Sequence, residues 1–154
     1  MNLKHISHMH NETNFDEMRF VRQMRYHQLG TAGQRKLSQA HAAIVGCGAL
    51  GSATALSLTR AGIGKLTIID RDVPEWSNLP RQFLFSEKDV CDGLPKAIIA
   101  ESRLKEIDRN VQVIPHVTHL SNHNIADLLS SVDVIVDGTD NFETRFLLND
   151  FSCR

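Results

Sequence analysis

"AIVGCGALGSATA", residues 43–55, sets three glycines at the spacing G-x-G-x-x-G between an apolar run and a stretch of small residues. In such a turn the first glycine permits the tight bend, the second lets backbone approach a phosphate, and the third lets a helix pack closely on a strand. Gly46, Gly48 and Gly51 fit these places. A helix that starts here offers unpaired N–H groups and the positive end of its dipole to an anion. The stretch therefore predicts a strand–turn–helix that holds nucleotide phosphates. Its pattern alone fits a dinucleotide-dependent oxidoreductase, an ATP-dependent adenylyltransferase, or a binding module with no chemistry.

Outward from this turn the chain alternates strand and helix. "AAIVG" reads as a buried strand, followed by a helix from about Ala49 to Ala61; "KLTIID" is a second buried strand, ending on Asp70. An acid roughly 20 residues after the glycines can accept from ribose hydroxyls. A long connection, "RDVPEWSNLPRQFLFSEKDVCDGL", separates this strand from the helix "KAIIAESRLKEID", with Pro95 at its start. "VQVIPHV" reads as a third strand, "NHNIADLLSS" as a helix, "VDVIVDGT" as a fourth strand and "FETRFLLNDFS" as the opening of another helix. Alternating strands and crossover helices predict an α/β fold, a Rossmann-like, doubly wound, mostly parallel sheet. Ahead of it, residues 1–15 read as a mobile tail and residues 16–40 as a helical arm, leaving residues 41–154 for the nucleotide-binding domain.

Bulk properties narrow the function. With 154 residues, 42% apolar content and a formal charge of -1, the chain has material for one cored domain. The charge gives no general case for nucleic acid. No apolar run approaches the ~20 residues needed to cross a bilayer, and the N-terminus lacks a signal peptide's apolar middle, so no membrane role and a cytoplasmic location are expected. Cys47, Cys91 and Cys153 form no C-x-x-C pair, so zinc is not expected within this chain and the thiols are expected to be reduced. His5, His8 and His10 crowd the tail, where solvation is the simpler reading than metal binding.

The long connection carries Asp72, Trp76, Asn78 and Arg81, and Lys96 follows at its far end. Attack on the α-phosphate of ATP builds negative charge there and on departing pyrophosphate, which fixed cations stabilise. Arg81 and Lys96 suit that task, although each taken singly also reads as solvated surface charge. "VDGTDN" falls at the carboxyl edge of the sheet, where open α/β folds place ligands. There Asp137 and Asp140 could reach a Mg²⁺ held by a triphosphate, while Asp140 or Asn141 could instead cap the following helix.

In this order the blocks resemble the ThiF/MoeB/HesA family, bacterial relatives of ubiquitin-activating enzymes. The resemblance rests on "RFVRQ", "GCGALG", "IDRD", "WSNLPRQ", "GLPKA" and "DGTDN", and runs from Arg19 to Asp150. It implies ATP- and Mg²⁺-dependent adenylylation of the C-terminal glycine of a ubiquitin-like sulfur-carrier protein, in thiamine or molybdopterin biosynthesis. Arg22 would reach the triphosphate in a partner subunit's site, implying a homodimer. Asp70 would be the ribose acid, with Asp72 two residues on. Asn78, Arg81 and Gln82 would belong to the nucleotide site, Lys96 would contact phosphate, and Asp140 would be the Mg²⁺-associated acid with Asn141 beside it. Phe20 stands where the family usually has tyrosine.

Family members continue through further strands, a loop that guides the carrier tail, and C-x-x-C pairs for zinc, whereas this sequence stops at "NDFSCR". The resemblance thus implies a sheet incomplete on its C-terminal side, and Cys153 lies well before the cysteine that accepts carrier or sulfur in many members. Two other functions stay open on sequence. One is a truncated, catalytically incompetent fragment that binds nucleotide or a partner; the other is an NAD-dependent oxidoreductase, which would have no use for Arg22, Arg81 and Lys96 together.

Overall fold

In the computed structural model, which describes residues 12–153, the chain divides into two units, Met1–Lys36 and Leu37–Arg154. The first contains α1 (Glu12–Met24) and most of α2 (Gly30–Gln39). The turn between them closes at Gly30, whose φ of 55° suits a residue without Cβ and whose amide donates to Tyr26 O at 2.9 Å. His5, His8 and His10 lie outside the described residues.

The second unit is built on four parallel strands in the order β3-β2-β1-β4. These are β1 (His41–Val45), β2 (Lys65–Ile69), β3 (Gln112–His116) and β4 (Val134–Asp137). β1 is central and buried along its whole length, so after His41 its residues, Ala42 to Val45, are apolar on both faces rather than alternating with polar ones. Ile44 pairs with Ile68 on one side and Val136 on the other, which fixes the register across the sheet.

Helices cover both faces. Ala42, Ile44, Leu66 and Ile68 pack with Ala55 of α3 (Ala49–Ala61) and with Ala97, Ala100 and Leu104 of α5 (Lys96–Ile107). Ala43, Val45 and Ile69 face the other way, onto Ile125 and Leu129 of α6 (Ile125–Leu129) and Leu148 of α7 (Phe142–Ser152). Burying each of the larger aliphatic side chains contributes about 1.5–3 kcal/mol against its exposed state. This is the doubly wound α/β architecture expected from the alternating pattern. Successive connections carry the chain from β1 outward to β2 and β3, then back past β1 to β4. The reversal makes a switch point between β1 and β4, and a crevice opens there beyond the carboxyl ends of the strands.

The connection after β2 is more ordered than its composition suggests. It contains a 3-10 turn at Trp76–Asn78 and α4 (Glu87–Asp92), each closed by a capping box, Glu75 with Asn78 and Ser86 with Asp89. The helix expected over "NHNIADLLSS" is confined to the five residues of α6, because Ser121 to Asn124 form a turn in which the Asn124 side chain accepts from Ser121 N at 2.8 Å.

Candidate nucleotide site

The glycine turn leaves β1 at Gly46, which has a φ of 86° and donates its amide to Ile69 O at 2.8 Å. A Cβ at Gly51 would stand 1.9 Å from Gly46 O, and one at Gly138 would stand 2.4 Å from the same atom. Three backbone segments therefore touch where β1, α3 and the end of β4 meet. Gly48 differs. Its nearest neighbour is Gln82 Nε2, 3.9 Å from the Cβ position, so the space above it is open. Gly48 precedes α3, and no side chain caps the helix there. Gly48, Ala49 and Leu50 line the crevice, so the start of α3 borders it with no side-chain cap among the described residues, as an anion-binding helix end requires.

Around this turn lies a cleft of about 960 Å³, and all its lining residues belong to the Leu37–Arg154 unit. The end of β2 supplies Asp70, whose Oδ2 accepts from Cys47 N at 2.7 Å and whose Oδ1 accepts from Asp72 N at 2.8 Å. Asp70 thus ties the glycine turn to the strand beside it. Burial raises its carboxyl above the ordinary carboxylate range; the two amides and Lys96 pull the other way. Cys47 beneath the turn is fully buried. Desolvation first, and the Asp70 charge second, push its thiol up to about 12, so it is no nucleophile at neutral pH.

Lys96 opens α5 and is only 6% exposed, which excludes the solvated-surface reading of this residue. Its backbone amide donates to Asp72 O at 2.8 Å and its Nζ lies 3.6 Å from Asp72 Oδ2. Asp72 is itself well exposed, so the lysine holds one weak partner and a free side toward the cleft. Arg81 is exposed on the cleft wall and donates through Nη1 to Ser77 O at 2.7 Å. Asn78 is buried and its Oδ1 accepts from Glu75 N at 3.1 Å, which assigns it a structural bond within the same wall. Gln82 is 4% exposed and its Oε1 has no hydrogen-bond partner among the described residues. An unpaired buried amide oxygen costs about 1–3 kcal/mol, a cost that a ligand or water in the cleft would relieve.

Beyond β4, Asn141 rather than Asp140 caps α7, its side chain accepting from Thr144 N at 2.9 Å. Asp140 is exposed, lines the cleft and makes no side-chain hydrogen bond among the described residues. Among those residues no group of three or more His, Cys, Asp or Glu could hold a metal ion. A cation at Asp140 would have to be shared with a phosphate, the manner in which Mg²⁺ is commonly bound. Arg22 belongs to the other unit, exposed in the last turn of α1.

Among the parts of the cleft that sequence reasoning missed are the Thr118–Leu120 turn after β3, Gly138, and Arg145 on α7. Gly138 carried a signal, since "DGT" ends a strand at the ligand-binding edge. Arg145 reads as an ordinary helix charge until the fold turns it back. No helix of the described residues is long and apolar enough to cross a membrane.

Comparison with known proteins agrees with this geometry. Residues 20–154 match the model of the ThiF family. The sulfur carrier protein ThiS adenylyltransferase of Bacillus subtilis is 48% identical over 132 residues, 86% of this chain and 39% of that protein. The adenylyltransferase and sulfurtransferase MOCS3 of Danio rerio is 41% identical over 137 residues, 89% of this chain and 29% of that protein. Among solved structures, the E. coli tRNA N6-threonylcarbamoyladenosine dehydratase TcdA in complex with ATP superposes with a TM-score of 0.75 at 29% identity, over 81% of this chain and 50% of that one. The chain spans about two-fifths or less of the length of the two curated relatives. The glycine turn at the switch point, the long ordered connection and the match over residues 20–154 have one explanation: this chain belongs to the ThiF family.

Proposed function

We propose that this chain supplies the ATP-binding part of an enzyme that adenylates the C-terminal carboxylate of a ubiquitin-like sulfur-carrier protein, with ATP and Mg²⁺ as the reacting pair. The observation that carries the reading is the buried cation Lys96 in the same cleft as the uncapped start of α3, opposite in charge to a triphosphate. The ATP and AMP complexes of TcdA and the adenylyltransferase names of the relatives support it.

In this reading the first-turn amides of α3 and Gly48 hold phosphate, and Asp70 accepts from ribose hydroxyls with the lone pairs its two amide bonds leave. A carrier carboxylate oxygen attacks the α-phosphorus, the bond from that phosphorus to the bridging oxygen breaks, and pyrophosphate leaves. Lys96 and Arg81 stabilise the charge that develops, each worth a few kcal/mol of barrier when preorganised. Asp140 would help to hold the Mg²⁺, whose charge would offset that of the phosphates. The residual sites read from sequence, Asp72, Asn78, Gln82 and Asn141, hold the walls. Arg22 acts on the site of a second copy in a homodimer, and the protein works in the cytoplasm.

Calorimetric titration tests the nucleotide: ATP with Mg²⁺ should bind at least about tenfold more tightly than NAD, a difference of about 1.4 kcal/mol, and Lys96→Met should weaken it. A preference for NAD overturns the assignment. Carrier-dependent exchange of labelled pyrophosphate into ATP tests the chemistry; in a form of the protein that exchanges, Arg81→Ala or Asp140→Ala should abolish it. Equal exchange with a carrier whose terminal carboxylate is amidated would refute carboxylate adenylation. Mixing inactive Arg22→Ala and Lys96→Met chains should restore part of the activity if Arg22 acts in trans.

A further inference from the structure

Two carboxylates, Asp137 and Asp140, stand three residues apart at the end of β4, and the structure treats them differently. Asp137 Oδ1 accepts from Thr139 N at 2.9 Å and from Thr139 Oγ1 at 2.6 Å. Its Oδ2 lies 3.4 Å from Arg145 Nε. The same guanidinium donates through Nη2 to Thr139 O at 3.1 Å and lies over the Phe142 ring, 5.7 Å from its centroid. Arg145 therefore grips both ends of the Asp137–Thr139 turn from the helix that follows it. On the far side of Asp140, Asn141 is fixed as the cap of α7. Beneath the turn, Gly138 is pressed against the glycine loop so closely that no Cβ would fit. Asp140 is thus held between two anchored neighbours while its own carboxylate stays open to the cleft.

The charges follow the same division. Asp137 has its negative charge paired and its oxygens occupied, so it has little to offer a dication. Asp140 has neither. We propose that Arg145 is a positioning residue that directs a divalent cation to Asp140 and away from Asp137, by neutralising the one and fixing the turn that presents the other. This rests on the reading of Asp140 as the Mg²⁺-associated acid. The task needs a planar, multidentate donor: a lysine ammonium is a single point and lacks the fork that reaches both Asp137 and the Thr139 carbonyl.

The test is a Mg²⁺ titration of ATP binding, followed by calorimetry, alongside ATP binding in EDTA. Asp140→Asn comes first. If it leaves the Mg²⁺ dependence of the parent chain unchanged, the reading of Asp140 is wrong and the clamp loses its object. If Asp140→Asn does weaken the Mg²⁺ response, Arg145→Ala is expected to raise the half-saturating Mg²⁺ concentration about tenfold, the scale on which residues supporting a metal ligand act. Its ATP affinity in EDTA should change by less than about threefold, since that is only ~0.6 kcal/mol. Arg145→Lys should fall between parent and alanine, and carries the test if the alanine chain does not fold. Asp137→Asn, which keeps an acceptor for Thr139, should shift the Mg²⁺ midpoint far less than Asp140→Asn. An unchanged midpoint in both Arg145 variants overturns the proposal. So does an equal loss of ATP affinity in EDTA, which would make Arg145 a direct phosphate ligand, or an Asp137→Asn effect as large as that of Asp140→Asn.

Discussion

Replacing Gly48 by valine separates binding from folding within a single motif. The Cβ position at Gly48 has nothing nearer than Gln82 Nε2 at 3.9 Å, and its φ of -80° is one that any residue adopts. A β-carbon therefore meets nothing in the folded chain, and we expect the exchange to cost about 1 kcal/mol of stability, as a poorer residue ahead of α3. The open space is, in our reading, where phosphate approaches backbone. Filling it removes at least one charge-assisted hydrogen bond, worth about 1.5–3 kcal/mol, so ATP affinity should fall more than about tenfold. Gly51→Ala is the contrast. Its methyl would stand 1.9 Å from Gly46 O and 3.0 Å from Gly46 C, both backbone atoms that cannot swing aside. We expect it to cost on the order of 3 kcal/mol of folding stability. Urea unfolding measures the stabilities. Trp76, the one tryptophan of the chain, sits exposed two residues from cleft-lining Asn78 and offers a fluorescence signal for ATP titration. If folded Gly48→Val binds ATP as tightly as the parent, phosphate does not approach at Gly48, and the site has been placed on the wrong backbone.

Two further outcomes follow from buried titratable groups. His41 in β1 is held by Ser131 O at 3.0 Å and Thr67 Oγ1 at 2.8 Å, and burial, the largest cause, lowers its pKa. The unfolded chain therefore binds the proton more readily, so His41 takes stability away as pH falls below about 6.5 and stops doing so below its folded value. Urea unfolding between pH 7 and 5 (roughly the window set by that ordinary pKa) should show a smaller loss in His41→Gln than in the parent; equal losses would refute the assignment. Thiol titration of the native chain should find Cys91 and Cys153 reacting quickly and Cys47 only on unfolding, because the first two are exposed and the third is buried with its thiol pushed up to about 12. Rapid reaction of all three would show that the glycine turn opens in solution.

What was legible in the sequence is what depends on neighbours along the chain. β1, β2 and β4 are short β-branched or small apolar runs ended by glycine or an acid, and the helix after Gly48 is a local signal too. α4 escaped because six residues are too few to display a hydrophobic period, although its Ser86–Asp89 capping box was present as S-x-x-D. Lys96 could not be told from a surface lysine, because its burial is made by the connection folding over the start of α5. The choice between Asp140 and Asn141 as cap, and the turning of Arg145 onto Asp137, are likewise decided by backbone direction rather than residue type. Asp70 shows why such sites leave a faint trace. An acid after the second strand suggests ribose binding, yet the same carboxylate also bonds Cys47 N and so shapes the turn that would hold phosphate. Asp70→Asn retains only one oxygen for these duties. A loss of ATP affinity in that variant would therefore combine a missing ribose contact with a loosened phosphate turn, whereas Gly48→Val perturbs the turn alone. Comparing the two variants on ATP and on inorganic triphosphate, which has no ribose, divides the contributions: the turn defect appears with both ligands, and the ribose contact only with ATP.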